Sequence, residues 1–225
     1  MATDFAMYRA TIEAISPSFW DAGLRVLQGA RFAESDGSHI AALLAYMNPP
    51  CGAVIADIGC GFGEVARIMT VQRPDLNFVL INSSASQLAR APDNFRKFNC
   101  DMHNIPMQPA SVDGAMFCYS LCHGDIRSAL IEAARITKPG GFLFVYDYVR
   151  KNGDSALSEA HLFARFYGFA EILTESRLSG WELTMFARPP ANDALFRDAM
   201  GDNALYNAIF DDLTPAVWKM VKRDG

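Results

Sequence analysis

The chain has 225 residues, half of them apolar and a fifth charged, which excludes a disordered segment and fits an ordinary folded domain. Its net charge of −5 argues against a nucleic-acid partner, whose backbone calls for a basic face. No apolar run reaches the roughly 20 residues of a spanning helix, and Met1-Ala-Thr-Asp-Phe lacks the basic start and apolar stretch of a secretory signal.

Taken in chain order, residues 17–30 and 37–48 read as helices, the second stopped by Pro49-Pro50. A strand at 53–58 is followed by helix 63–72, strand 78–81 and helix 84–91, which ends before Pro92. Short strands are expected near 96–100 and at 112–119. Residues 125–137 form an amphipathic helix closed by Lys138-Pro139-Gly140-Gly141, and Phe142-Leu-Phe-Val-Tyr is the fifth strand. Strands alternating with helices at this rhythm predict a parallel sheet built from right-handed crossovers. The apolar runs at 78–81 and 142–146 suit strands covered on both faces. A helix is expected at 155–168. The runs Glu171–Leu178 and Trp181–Arg188, joined by Ser179-Gly180, read as a β-hairpin. The tail 191–222 reads as helices, with Asn192 as an N-cap and Gly201 as a stop. The expectation is one domain over 1–225: an N-terminal helical cap (1–50), a ligand-binding core (51–188) and C-terminal helices (189–225).

The most informative stretch is Val54-Ile-Ala-Asp-Ile-Gly-Cys-Gly-Phe-Gly-Glu. An apolar strand with one carboxylate, Asp57, runs into Gly59, Gly61 and Gly63 and then a helix start. Such a turn lets backbone approach a ligand closely. A dinucleotide fingerprint places glycines at its first, third and sixth positions. The sixth here is Glu64, a poor neighbour for pyrophosphate. The loop suits a ligand with nucleoside and amino-acid parts and no phosphate, as S-adenosyl-L-methionine is. Cys51, Cys60, Cys100, Cys118 and Cys122 are odd in number and lack a zinc spacing. They read as free thiols of a reducing cytoplasm, and no metal is expected.

Asp57-Ile58-Gly59-Cys60-Gly61-Phe62-Gly63 resembles the first motif of class I S-adenosylmethionine-dependent methyltransferases, and further stretches resemble the rest of that pattern in order. The family ends its second strand with an acidic residue that binds the ribose hydroxyls; this chain has Asn82, followed by Ser83 and by Ser84-x-x-Gln87-Leu88. That departure resembles sterol, tocopherol and prenyl-diphosphate C-methyltransferases. Asp101 matches the residue that takes the adenine amino group, and Met102 the one whose backbone N–H and side chain border the ring. Val112-Asp113-Gly114 resembles the entry to the fourth strand. Cys118-Tyr119-Ser-Leu-Cys-His123 resembles the loop bordering the methionine part and the substrate, and Arg135-x-x-Lys-Pro-Gly-Gly resembles a packing motif. The resemblance covers residues 50–188 and points to the type 11 methyltransferases, the group that includes ubiquinone and menaquinone C-methyltransferases.

The resemblance implies an α/β fold with a Rossmann-like, seven-stranded, mostly parallel sheet, an antiparallel final strand and helices on both faces. It implies S-adenosyl-L-methionine as cofactor, bound by Asp57, Gly59, Cys60, Gly61, Gly63, Asn82, Ser83, Gln87, Asp101, Met102 and Cys118. His123 and Tyr119 are the catalytic candidates. Asp57 either orients the sulfonium end or caps the turn. His123, of a type with reference pKa near roughly 6.5, is either a base or an ordinary loop histidine. The expected reaction is methyl transfer to a small, largely apolar metabolite. Its aromatic neighbours are drawn from Phe5, Tyr8, Phe19, Trp20, Tyr119, Tyr148, Phe163, Phe166, Tyr167 and Trp181. An isoprenoid, sterol or prenyl-diphosphate acceptor is the alternative. A diphosphate would need convergence of Arg150, Lys151, Arg165 and Arg177. A non-catalytic cofactor-binding subunit is the second alternative, and homo-oligomers are compatible with the sequence.

Overall fold

Val54–Ile58 (β1) and Asn77–Asn82 (β2) are buried at nearly every position, as strands covered on both faces are. They pair in parallel, from Val54 opposite Asn77 to Ile58 opposite Ile81. Arg96–Asn99 (β3) extends the sheet beyond β2, and Val112–Cys118 (β4) lies on the other side of β1. Thr137–Arg150 (β5) runs parallel to β4. Trp181–Ala187 (β6) and Leu213–Lys222 (β7) complete a seven-stranded sheet of order β3-β2-β1-β4-β5-β7-β6, in which β7 alone is antiparallel to its neighbours. This computed structural model describes residues 35–151, 155–156, 159–160, 164–189 and 212–223.

Alternate residues of the strands feed two separate cores. Ala56, Ile58, Val79, Ile81, Ala115 and Phe117 face helices Ile126–Ile136 (α4) and Phe169–Leu178 (α5). Ile55, Phe78, Leu80, Met116 and Phe144 face helices Asp36–Met47 (α1) and Glu64–Gln72 (α2). A short helix, Ala85–Arg90 (α3), follows β2. Helices therefore cover both faces, as expected of the sequence. The capping chemistry is local. Ser35 and Ser38 exchange bonds at the start of α1, and Asn48 ends it in the left-handed conformation before Pro49. Asp125 caps α4 by accepting from the Ser128 N–H.

The chain leaves β1 toward β2 and β3 on one side and later toward β4 and β5 on the other. The C-terminal ends of β1 and β4 thus border the crevice where such sheets bind ligands. The Arg135 motif is structural, as expected. Its guanidinium donates to Met107 O and Ile105 O and pairs with Glu132, all at 2.7 Å. Asp113 ties β4 to its neighbours, accepting from Val54 N at 2.8 Å and Lys138 Nζ at 2.6 Å.

Three expectations are corrected. Residues 171–178 are helical, not a hairpin arm. Glu171 reaches back to the Gly168 N–H at 2.8 Å, and Ile172 and Ser176 are buried four residues apart, a helical spacing. Ser179-Gly180 is accordingly the end of a helix, with Gly180 at φ +85°. Leu213–Lys222 is a strand, not helix, and it is this segment that supplies the antiparallel final strand. Pro215, which has no N–H for a ladder, lies beyond the last β6 pairing, Ala187 opposite Val217. Within 155–168, residues 164–167 are not helical, and Gly168 bridges to Arg150 in extended form. The helix expected at 17–30, Asn192 and Gly201 lie outside the described residues. Among the described residues no helix is long and apolar enough to cross a membrane.

Candidate active site

The turn after β1 is built from three left-handed glycines, and the three serve different purposes. A Cβ on Gly59 would lie 2.3 Å from Ser120 Cβ, and one on Gly63 would lie 2.7 Å from Leu80 Cδ1. Those two positions exclude side chains because protein fills the space. A Cβ on Gly61, at φ +56°, would meet nothing within 4 Å, so this backbone is bare toward open space. The turn is pinned to β2 by the Gly59 and Cys60 N–H groups, which donate to Ile81 O at 2.8 and 3.1 Å. Ser120 Oγ donates to Ile58 O at 2.6 Å, joining the ends of β1 and β4.

Asp57, two residues before the turn, is buried. Its Oδ2 is sealed from solvent and has no hydrogen-bond partner among the described residues. Burial pushes its carboxyl up from 3.8 to about 7. A buried carboxylate oxygen without a donor is costly, and a cationic ligand beside it would remove the cost.

Asn82 ends β2. Its Nδ2 donates to Gln87 Oε1 at 2.8 Å and Gly61 O at 3.3 Å. Those two acceptors fix the amide's orientation and present Oδ1, a neutral acceptor suited to a hydroxyl. Gln87 is itself held by Ser84, which caps α3 and accepts from the Gln87 N–H. Gln87 therefore fixes the Asn82 amide. Ser83 is exposed beside them. Asp101 and Met102 follow β3. The Asp101 carboxylate accepts from His103 Nδ1 at 2.6 Å.

At the end of β4 the chain turns sharply, with Tyr119 at φ +54°, a conformation that bulky residues rarely hold outside functional sites. Its ring packs on Tyr146 with centroids 4.5 Å apart and on Tyr148 at 5.5 Å; Tyr148 in turn meets Phe166 at 6.5 Å. Burial and the neighbouring tyrosines push the Tyr119 hydroxyl well up. The thiols of Cys60, Cys118 and Cys122 are pushed up by burial, and nearby carboxylates add to the effect. A thiol raised in this way is a poor nucleophile. His123 closes a single 3-10 turn, Leu121–His123, and is half-buried.

Sequence reasoning missed Asp147. It is buried in β5 and accepts from Tyr148 N at 2.8 Å and Cys122 N at 3.1 Å, so it anchors the 3-10 turn that carries His123. Burial raises its carboxyl to about 6. A lone carboxylate in an apolar strand, the signal that marked Asp57, was present here too. Of the expected aromatic residues, Tyr119, Tyr148 and Phe166 gather at this end of the sheet. Trp181 belongs to the core, with Nε1 donating to Leu130 O at 2.9 Å. Tyr167 is buried, and its hydroxyl lies 3.4 Å from Gly124 O. Phe5, Tyr8, Phe19, Trp20 and Phe163 lie outside the described residues. The basic residues do not converge. Arg150 pairs with Glu171 at 2.6 Å near the start of α5, Arg165 lies over Tyr167, and Arg177 is at the other end of that helix.

Residues 40–168 match a family of sequences described as a hypothetical methyltransferase. The chain belongs to this methyltransferase family. The ribosomal RNA-processing protein 8 of Arabidopsis thaliana is 34% identical over 92 residues, 41% of this methyltransferase and 28% of that protein. The 25S rRNA (adenine(645)-N(1))-methyltransferase of Schizosaccharomyces pombe is 33% identical over 103 residues, 46% of this chain and 30% of that one. An O-methyltransferase of Pyrenophora dematioidea is 32% identical over 120 residues, 49% and 45% of the two chains. The chain thus spans less than a third of the ribosomal RNA-related relatives. Among solved structures, geranyl diphosphate C-methyltransferase of Streptomyces coelicolor superposes with a TM-score of 0.72 at 13% identity, over 84% of this chain and 78% of that one. The [4+2]-cyclase SpnF gives 0.69 at 19%, over 84% and 81%. One fold carries both chemistries, so the fold alone does not name the reaction.

The cofactor of this methyltransferase is S-adenosyl-L-methionine, and the residues present fit it: an orphaned carboxylate oxygen at Asp57, a bare backbone at Gly61 and an oriented acceptor at Asn82. When bound, it supplies a methyl group on a sulfonium, already activated for in-line displacement. The protein's part is to hold, orient and exclude water.

Proposed function

We propose that this S-adenosylmethionine-dependent methyltransferase acts on a small, largely apolar metabolite. The observation that carries the reading is the aromatic group Tyr119, Tyr146, Tyr148 and Phe166 at the C-terminal ends of β4 and β5. It is continuous with the glycine turn, since Cys60, Cys118, Tyr119 and Tyr146 share one packed cluster. In this reading Asp57, Gly61 and Asn82 hold the donor, and the rings hold the acceptor flat and dry. His123 takes the proton that an O–H or N–H acceptor loses, on a turn fixed by Asp147. The acidic overall charge and the free thiols favour a metabolite in a reducing cytoplasm. The scattered arginines give no support to a diphosphate acceptor.

A second reading, methylation of an RNA base, is favoured by the names of the ribosomal RNA-related relatives. Aromatic rings also stack on unpaired bases. Both are tested together. The purified protein is incubated with methyl-tritiated S-adenosylmethionine and either the small-molecule fraction or the RNA of a cell extract. Label in the small-molecule fraction, lost in Tyr119→Ala, is the expected result. Label in RNA alone refutes the metabolite reading.

A further inference from the structure

The two loops that flank the crevice, residues 101–103 after β3 and 123–125 before α4, are locked together through His103. Its Nδ1 lies 2.6 Å from Asp101 Oδ1, and its backbone N–H donates to the same oxygen at 3.0 Å. Its Nε2 accepts from the Asp125 N–H at 3.0 Å. Accepting at Nε2 places the ring proton on Nδ1, where it is donated to Asp101. The space is full: a Cβ on Gly124 would lie 2.5 Å from Met102 Sδ and 2.9 Å from His103 Nε2.

From this we infer that His103 is a positioning residue for cofactor recognition, orienting the Asp101 carboxylate toward the purine amino group while tethering the start of α4. Oδ1 already accepts two hydrogens, so the carboxylate cannot swing about its last torsion without breaking both. The inference rests on the cofactor reading above, which assigns the adenine to Asp101.

The two halves of the imidazole can be separated by substitution. His103→Asn keeps an N–H donor at the δ position and loses the distal acceptor. His103→Gln keeps an acceptor at the ε position and loses the proximal donor. Calorimetry would compare S-adenosylhomocysteine with its analogue bearing hydrogen in place of the purine 6-amino group, on wild type and both variants, with circular dichroism to establish folding. One hydrogen bond to a charged acceptor predicts a wild-type preference for the amino form of about tenfold or more. His103→Asn is expected to keep that preference and His103→Gln to bring it within about threefold. A ratio unchanged in folded His103→Gln overturns the inference alone. Failure of wild type to bind either compound overturns the cofactor reading and the inference with it. A general loss of affinity with the ratio intact is what a merely structural role would give, and it too refutes the inference.

Discussion

Replacing Asp57 with Asn should make the ligand-free protein more stable and its cofactor binding weaker. The folded carboxyl holds its proton up to about pH 7, whereas the unfolded one releases it near 3.8. Folding therefore takes up a proton between those values, and stability is lost as pH rises across that window. Above pH 7 the full cost is present, roughly 4 kcal/mol for a shift of this size. Asn removes the charge at nearly constant volume but leaves a buried amide with an unmatched hydrogen, costing about 1–3 kcal/mol. The net gain at pH 8 is about 1–3 kcal/mol, or roughly 2–12 °C in Tm for a chain of this length. The gain should shrink as pH falls toward 4. Affinity for S-adenosylmethionine should drop about tenfold or more, because a cation loses its charged partner. Thermal melts from pH 4 to 9 and calorimetric titrations check both halves. A variant that melts below wild type at pH 8, or one that binds the cofactor unchanged, would refute the argument.

The glycine turn predicts a contrast. Gly59→Ala forces a Cβ to within 2.3 Å of Ser120 and should cost about 2–4 kcal/mol in denaturant melts. Gly61→Ala should cost only about 1 kcal/mol of stability yet weaken cofactor binding severalfold, because its methyl fills the bare cradle. Asp147→Asn should lower kcat about tenfold with S-adenosylhomocysteine affinity nearly unchanged. One amide face cannot accept from both the Cys122 and Tyr148 N–H groups, so the His123 turn loosens while the glycine turn stays intact. Arg135→Met should destabilise by about 3 kcal/mol, seen as a shifted urea midpoint, by leaving the nearly buried Glu132 carboxylate unpaired.

Residues 37–150 were legible because their elements are local and punctuated. Pro49-Pro50, Pro74, Pro92 and Lys138-Pro-Gly-Gly mark the ends, and apolar runs fully buried on both faces mark β1, β2 and β5. The glycine turn was legible for a local reason too: Gly59, Gly61 and Gly63 take left-handed backbone, two of them against packed side chains and Gly61 toward open space. The C-terminal third was less readable. Ile172-Leu173-Thr174 has β-like composition, and what makes the segment helical is Glu171 reaching back to Gly168 and the i, i+4 burial of Ile172 and Ser176. The strand at 213–222 carries a proline, which is tolerated because Pro215 lies beyond the last β6 pairing. His103 carried no sequence signal, and Asp147 carried only that of a lone carboxylate in an apolar strand. Their importance lies in contacts to residues 22 and 25 positions away in sequence, which spacing alone does not reveal.

The last strand in sequence is an inner strand in space, wedged between β5 and β6. During synthesis β5 must wait with one edge bare until the ten residues from Leu213 to Lys222 have emerged from the ribosome, and β6 has no partner at all until then. An unmet strand edge is an invitation to pair with another chain. That edge of β5 stays open until β7 has been made, and deleting those ten residues would split the sheet rather than trim it.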